Sequence, residues 1–238
     1  EFNGIKRRGV LMAPPIRTNL DARMGFIRDA LEEFIRPVKQ AYTMAINGLS
    51  NQTEVDSMDV QKKRMKAQHR SENLSQELLL VLTLNQPLLQ DLRIIACYLR
   101  GIDVIERLAR HARDIANAQD SFKAFSKDSE IPGHFAESLT ELGQKVFAIL
   151  KQMEDCLVQQ TELPSDLRNQ WLSIQSLFEE ISLSILEEQK SNVAGREGRL
   201  NLNLIARRFE RSAYNLMRLA DLWHHALENE WIHLESAE

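Results

Sequence analysis

The chain reads as an all-α protein built of two tandem, pseudo-symmetric three-helix bundles. Three observations predict this. Glycines number 9 and prolines 6 in 238 residues, too few for the many turns of a β-rich chain. Long stretches place apolar residues at i, i+3, i+4 and i+7, the period of one buried helical face. A short pattern also returns 104 residues on: Glu106-Arg107 recurs as Glu210-Arg211, and Ala109, Ala112, Ile115 and Ala116 meet Ala213, Leu216, Leu219 and Ala220.

The helices follow in order. Asp21 to Ser50 carries Met24, Ile27, Leu31, Phe34, Ile35 and Val38 on one stripe, continued by Ala41, Tyr42, Ala45 and Leu49. Pro37 lies inside this run and predicts a kink or split near Arg36, because it removes a hydrogen bond and crowds the preceding turn. Ser57 to Leu84 is the second helix, with a polar first half expected in solvent and an apolar second half expected in the core. Asn85 to Ala118 is the central helix, capped by Asn85 with Pro87 in its first turn. It carries two apolar seams, one through Leu92, Ile95, Leu99, Ile102 and Ala109, the other through Ile94, Tyr98, Ile105, Leu108, Ala112 and Ile115. Gln119 to Gly133 holds the strongest linker signal, ending in Ile131-Pro132-Gly133. The second half repeats the scheme with helices at Phe135 to Thr161, Asp166 to Ser191 and Leu200 to Leu234, with Ser165 as a cap for the second of these. Four segments result: a flexible N-terminal stretch 1–20, a first bundle 21–120, a linker 121–134 and a second bundle 135–238. Glu1-Phe2 resembles a cloning scar, which makes Met12 a candidate natural start.

Composition removes several functions. The chain is 43% hydrophobic and 27% charged with a net charge of −4, so its global charge points to neither nucleic acid nor membrane. No apolar run approaches the roughly 20 residues that span a bilayer; the longest, Leu78 to Leu84, suits a buried helix. Cys97 and Cys156 lack a CxxC partner and sit in apolar helical settings, as core thiols in a reducing compartment would. No nucleophile elbow, HExxH, Walker A or dinucleotide fingerprint occurs, so the chain is expected to be no enzyme and to hold no cofactor.

The central helix carries a more specific signal. Gln86-Pro87, then Asp91-Leu92-Arg93, then Ile105-Glu106-Arg107-Leu108-Ala109-Arg110-His111-Ala112 and Ile115-Ala116, resembles the signature of the PhoU family. In that family QPxxxDLR is followed by LERIGDHAxNIA. Arg207-Arg208-Phe209-Glu210-Arg211-Ser212-Ala213-Tyr214 resembles the family's second copy, RYLERIAD. The resemblance spans most of residues 21–225 and implies two tandem three-helix bundles. It also implies a cytoplasmic regulator of phosphate uptake and starvation signalling. Such a protein contacts a phosphate ABC transporter ATPase, a sensor histidine kinase, or both, and reaches the membrane only through them.

Family members bind iron or zinc through carboxylates four residues apart in the third and sixth helices, where i and i+4 share one face. Here the pattern is broken. Glu106 matches, Arg110 stands in the second carboxylate position, and Asp114 follows one turn on. In the second copy Glu210 matches, Tyr214 replaces the aspartate and Arg218 follows. Arg110, spaced to pair with both Glu106 and Asp114, would repel a divalent ion. The expectation is a salt-bridge face with no metal; a residual site on Glu106, Asp114 and Glu210 is the alternative.

Arginines also concentrate on these helices. Arg100, Arg107, Arg110, Arg207 and Arg211 are the candidate surface for an acidic partner or a phosphate group. The competing reading is i,i+4 pairing on a solvated face. Asp221, His225, Asn229 and His233 recur every four residues, but Asn229 is a poor transition-metal ligand and interrupts the row. His111 is expected to bond locally beside Arg110. Trp223 and Trp231 are expected in the core, with a partner contact or a homodimer as the alternative. Besides regulation by contact, a PhoU-like metal-binding protein and a helical scaffold serving another partner are the readings left open.

Overall fold

The computed structural model describes residues 16–50, 55–125, 130–187 and 195–235. Expectations about residues 1–15, including the start at Met12, lie outside them. The described residues form six helices: α1 (Ile16–Asn47), α2 (Ser57–Asn85), α3 (Leu89–Phe125), α4 (Gly133–Gln159), α5 (Leu167–Glu187) and α6 (Gly195–Glu228). No strand occurs among the described residues.

The apolar stripes dictate the packing. Met24, Ile27, Leu31, Phe34, Ile35 and Val38 are all buried on α1, as are Leu139, Leu142, Val146, Ile149 and Met153 on α4. α2 packs on α1 and α3, and α5 packs on α4 and α6. α1 meets α4, and the most extensive contact is α3 on α6. Exchanging α1 with α4, α2 with α5 and α3 with α6 leaves this scheme unchanged, so the fold is a pseudo-symmetric pair of three-helix bundles. α3 and α6 run antiparallel. Near one end Gln90 Nε2 and Arg93 Nε donate to the carbonyls of Leu227 and Ala226. Further along, His111 faces Ser212 and Asp114 faces Arg208.

Small residues let the bundles approach. A Cβ on Gly143 of α4 would come within 2.8 Å of Phe209 Cζ and 2.9 Å of Ile46 Cγ1, so glycine is required there. Tyr98 of α3 stacks on Trp223 of α6 with centroids 6.0 Å apart, and Trp223 Nε1 donates to the Thr161 carbonyl at 2.8 Å. Cys97 and Cys156 are free buried thiols, and burial pushes the Cys97 thiol up to about 12.

Several local expectations change. α1 passes Pro37 without a split, its flanks Ile35 and Val38 wholly buried, so tertiary packing outweighs the missing hydrogen bond. Asn85 ends α2 instead of capping α3; Gln86, held out of the right-handed region by Pro87, turns left-handed at φ 46°. α2 is capped at its start by Asp56, which accepts from Met58 N at 2.8 Å. α3 extends past Ala118 to Phe125 because Phe122 is fully buried and Gln119 Nε2 donates to the Ala45 carbonyl at 2.7 Å. Of the apolar run on α2, Leu78 and Val81 are buried while Leu79, Leu80 and Leu84 are exposed. Only one side of the helix meets a neighbour. Leu92 is likewise exposed.

Candidate functional site

The positions where the family pattern places carboxylates lie on the α3–α6 pair. Glu106 is buried on α3. One of its oxygens meets Arg110 Nη2 at 2.6 Å, one turn on, and the other faces Arg64 Nη2 of α2 at 3.6 Å. The second separation is an ion pair too long for a hydrogen bond, which leaves Glu106 Oε1 buried without a donor. α2 thus delivers a cation from its polar first half, which was expected in solvent. It can do so because α2 runs antiparallel against α3.

Arg110 does not reach Asp114, contrary to the spacing argument. Asp114 is taken by Arg113 Nη2 at 2.6 Å and by Arg208 Nε at 3.0 Å from the facing helix. Beside it, His111 Nδ1 lies 2.9 Å from Ser212 Oγ, whose own proton goes to the Arg208 carbonyl at 2.8 Å. The Ser212 oxygen must therefore accept from His111 Nδ1–H, which fixes the neutral tautomer. Burial, with Arg208, Arg107 and Arg110 around it, pushes His111 down to about 4 despite Asp114.

The equivalent place on α6 is built differently. Glu210 is half-buried, and its nearest cation is Arg211 Nε at 3.7 Å. Burial raises its carboxyl above the ordinary value, against the pull of Arg211 and Arg207. Tyr214, at the position matching Arg110, packs on Trp171 of α5 with centroids 6.4 Å apart and lies 5.8 Å from the Arg211 guanidinium. An aromatic pair stands where the first copy has two arginines. Sequence reasoning missed Arg64, Arg208 and Trp171. Each comes from another helix, and only the packing of α2 on α3, α6 on α3 and α5 on α6 brings it in.

The outer strip of α3 carries Leu89, Leu92, Ala96, Arg100, Asp103 and Arg107, all exposed. It passes from apolar to cationic along one line. Arg207, Arg211 and Arg218 are exposed on α6. Arg100 and Arg218 line one cavity, so the two strips open on the same side of the seam at that end. Among the described residues, no carboxylate lies within 4.0 Å of Arg100, Arg107 or Arg207, while Arg110 and Arg211 pair with Glu106 and Glu210. The expected i,i+4 pairing therefore holds for Arg110 but not for Arg100, Arg107 or Arg207.

The C-terminal histidine row does not form. α6 ends at Glu228, and Asn229 turns left-handed at φ 64° while its N–H caps the His225 carbonyl at 3.0 Å. The chain then returns along α6. Trp231 stacks on His225 at 4.3 Å, and the Leu234 N–H donates to Asp221 Oδ1 at 2.9 Å. Trp223 is buried as expected; Trp231 is half-exposed on this return.

A PhoU domain family model matches residues 31–118. No curated protein sequence matches the chain. In three dimensions the chain is similar to the crystal structure of PhoU from Pseudomonas aeruginosa, with a TM-score of 0.71 at 14% identity, covering 89% of this chain and all of that one. It is also similar to the phosphate transport system regulatory protein PhoU from Streptococcus pneumoniae, with a TM-score of 0.70 at 15% identity, covering 91% of this chain and 99% of that one. Among the described residues, no helix is long and apolar enough to cross a membrane.

Proposed function

We propose, from a PhoU domain at residues 31–118 and the PhoU fold across the chain, that this protein is a cytoplasmic, non-enzymatic regulator of phosphate transport acting by protein contact. The observation that carries the mode of action is the state of the charges on α3 and α6. Glu106 and Asp114 are each ion-paired within the protein, whereas Arg100, Arg107 and Arg207 face outward with no carboxylate among the described residues within 4.0 Å. Cations without partners on an ordered helix face suit an acidic surface, and the exposed Leu89 and Leu92 at the end of the strip add apolar area. In this reading the carboxylate positions of the PhoU pattern have become a salt-bridge face, and the arginine strip docks a phosphate ABC transporter ATPase or a sensor histidine kinase. Binding one state of that partner would shift its population.

The test is co-purification with membranes carrying both partners, at high and low phosphate. Arg107→Glu with Arg211→Glu should weaken capture by at least about tenfold at low salt, as loss of charge complementarity does. Unchanged capture would remove the arginine strip from the mechanism. Recovery of neither partner by the unaltered chain would favour a helical scaffold serving something else. Stoichiometric iron or zinc lost on Glu106→Gln or Glu210→Gln would favour the metal-binding alternative.

A further inference from the structure

We propose that Asp221, His233 and Glu235 form a binding site for a divalent transition metal, closed by the return of the C-terminal segment onto α6. One ligand atom from each of the three lies within 4.8 Å of the others. Ligands around a tetrahedral zinc ion stand about 3.4 Å apart, so side-chain adjustment of about 1 Å completes the geometry. The site shares none of its three ligands with Glu106, Asp114 and Glu210, the carboxylates on the family-pattern rows of α3 and α6. The turn at Asn229 assembles it, a turn that helical spacing does not show.

Asp221 is the buried ligand, Glu235 is half-buried and His233 is exposed. Asp221 is only 3% exposed, and the Leu234 N–H engages its Oδ1. The His233 ring lies 6.4 Å from Trp231, nearly parallel at 19°, and Trp231 is stacked on His225. Glu235 Oε2 is buried and has no hydrogen-bond donor. The buried carboxyl of Asp221 and the half-buried one of Glu235 thus face each other closely enough to share a proton, with no cation in contact. Arg100 and Arg218 line the same cavity, yet neither comes within 4.0 Å of an oxygen of Asp221 or Glu235. A bound cation supplies the missing charge. One imidazole and two carboxylates match zinc, manganese or ferrous iron better than calcium or magnesium, which favour all-oxygen shells. The cavity beside the triad, about 120 Å³, leaves room for a fourth ligand, and the two arginines at its rim favour an anionic one.

The test uses the full chain, stripped with a chelator and titrated with zinc by calorimetry. One equivalent should bind, and His233→Gln and Glu235→Gln should each weaken binding by at least about tenfold. Glu106→Gln should leave the equivalent intact, which separates this site from α3. Zinc should raise the unfolding midpoint of the unaltered chain and not that of His233→Gln. No stoichiometric zinc, or an equivalent that survives both His233→Gln and Glu235→Gln, overturns the proposal. Should a variant loosen the return by itself, cobalt on the unaltered chain decides. Visible bands of a low-symmetry ion support the site, and a spectrum like that of the hydrated ion overturns it.

Discussion

Glu106 on α3 and Glu210 on α6 occupy equivalent places, 104 residues apart, in surroundings that differ in kind. Around Glu106 stand Arg110 and Arg64, so the buried carboxylate is held by charge. One turn from Glu210, Tyr214 packs on Trp171, and the half-buried carboxylate has Arg211 at 3.7 Å with Arg207 also acting on it. The flanking seam is alike in both copies: Ala109, Ala112 and Ile115 are buried on α3, as Ala213, Leu216 and Leu219 are on α6. The difference teaches that the apolar seam, and not the ring of polar side chains beside it, holds this fold. Once the seam is closed, one copy can surround its glutamate with ion pairs and the other can place aromatic rings one turn away.

Variants can sharpen this contrast. The largest effect is expected at Trp171→Ala. It removes a buried indole from the aromatic copy and should cost about 3–5 kcal/mol in urea unfolding. A loss below about 1 kcal/mol would mean that the aromatic pair is ornamental. Acid should act next, through His111 of the first copy. His111 is neutral in the fold with its pKa near 4, whereas an unfolded histidine titrates near 6.5. As pH falls from 6.5 to 4 the unfolded chain takes up this proton first, so stability is full above that window and declines through it. The decline should reach up to about 3 kcal/mol. The matching residue of the second copy is Asn215, which does not titrate. His111→Gln should therefore flatten the urea midpoint across that window, and a retained slope would place the titrating group elsewhere.

Glu106→Ala leaves Arg64 and Arg110 facing each other around a lost charge. Breaking a buried pair costs about 3–5 kcal/mol, and the partial exposure of Arg110 reduces the expected loss to about 2 kcal/mol. Glu210→Ala should cost under about 1 kcal/mol, because its ion pair with Arg211 is long and largely exposed. Equal losses at Glu106 and Glu210 would break the contrast outright.

Much of the fold was legible in the residues. Helical periodicity locates the six helices, and the recurrence of Glu-Arg 104 residues on marks α3 and α6 as equivalent elements of a repeat. Helix ends were less so, since tertiary partners set them: Gln119 and Phe122 carry α3 beyond the point where its motif stops. Within the site, the Glu106–Arg110 pair follows from i,i+4 spacing alone. Arg64, Arg208 and Trp171 do not, because each arrives from another helix. The C-terminal return had a local signal in Asn229, a residue suited to the left-handed position that ends a helix. A strict four-residue count carried the helix past it. The leucines of α2 show the remaining limit, since periodicity does not say which side of a helix acquires a neighbour.

The antiparallel α3–α6 pairing has a consequence for the chain as a polymer. Each bundle completes its core only against the other, through Tyr98 on Trp223 and through Phe209 filling the space that Gly143 leaves open. A backbone nick between α3 and α4 would therefore not release two autonomous modules. The fragments would bear complementary sticky faces and should reassociate into a non-covalent whole, giving a natural split-protein pair.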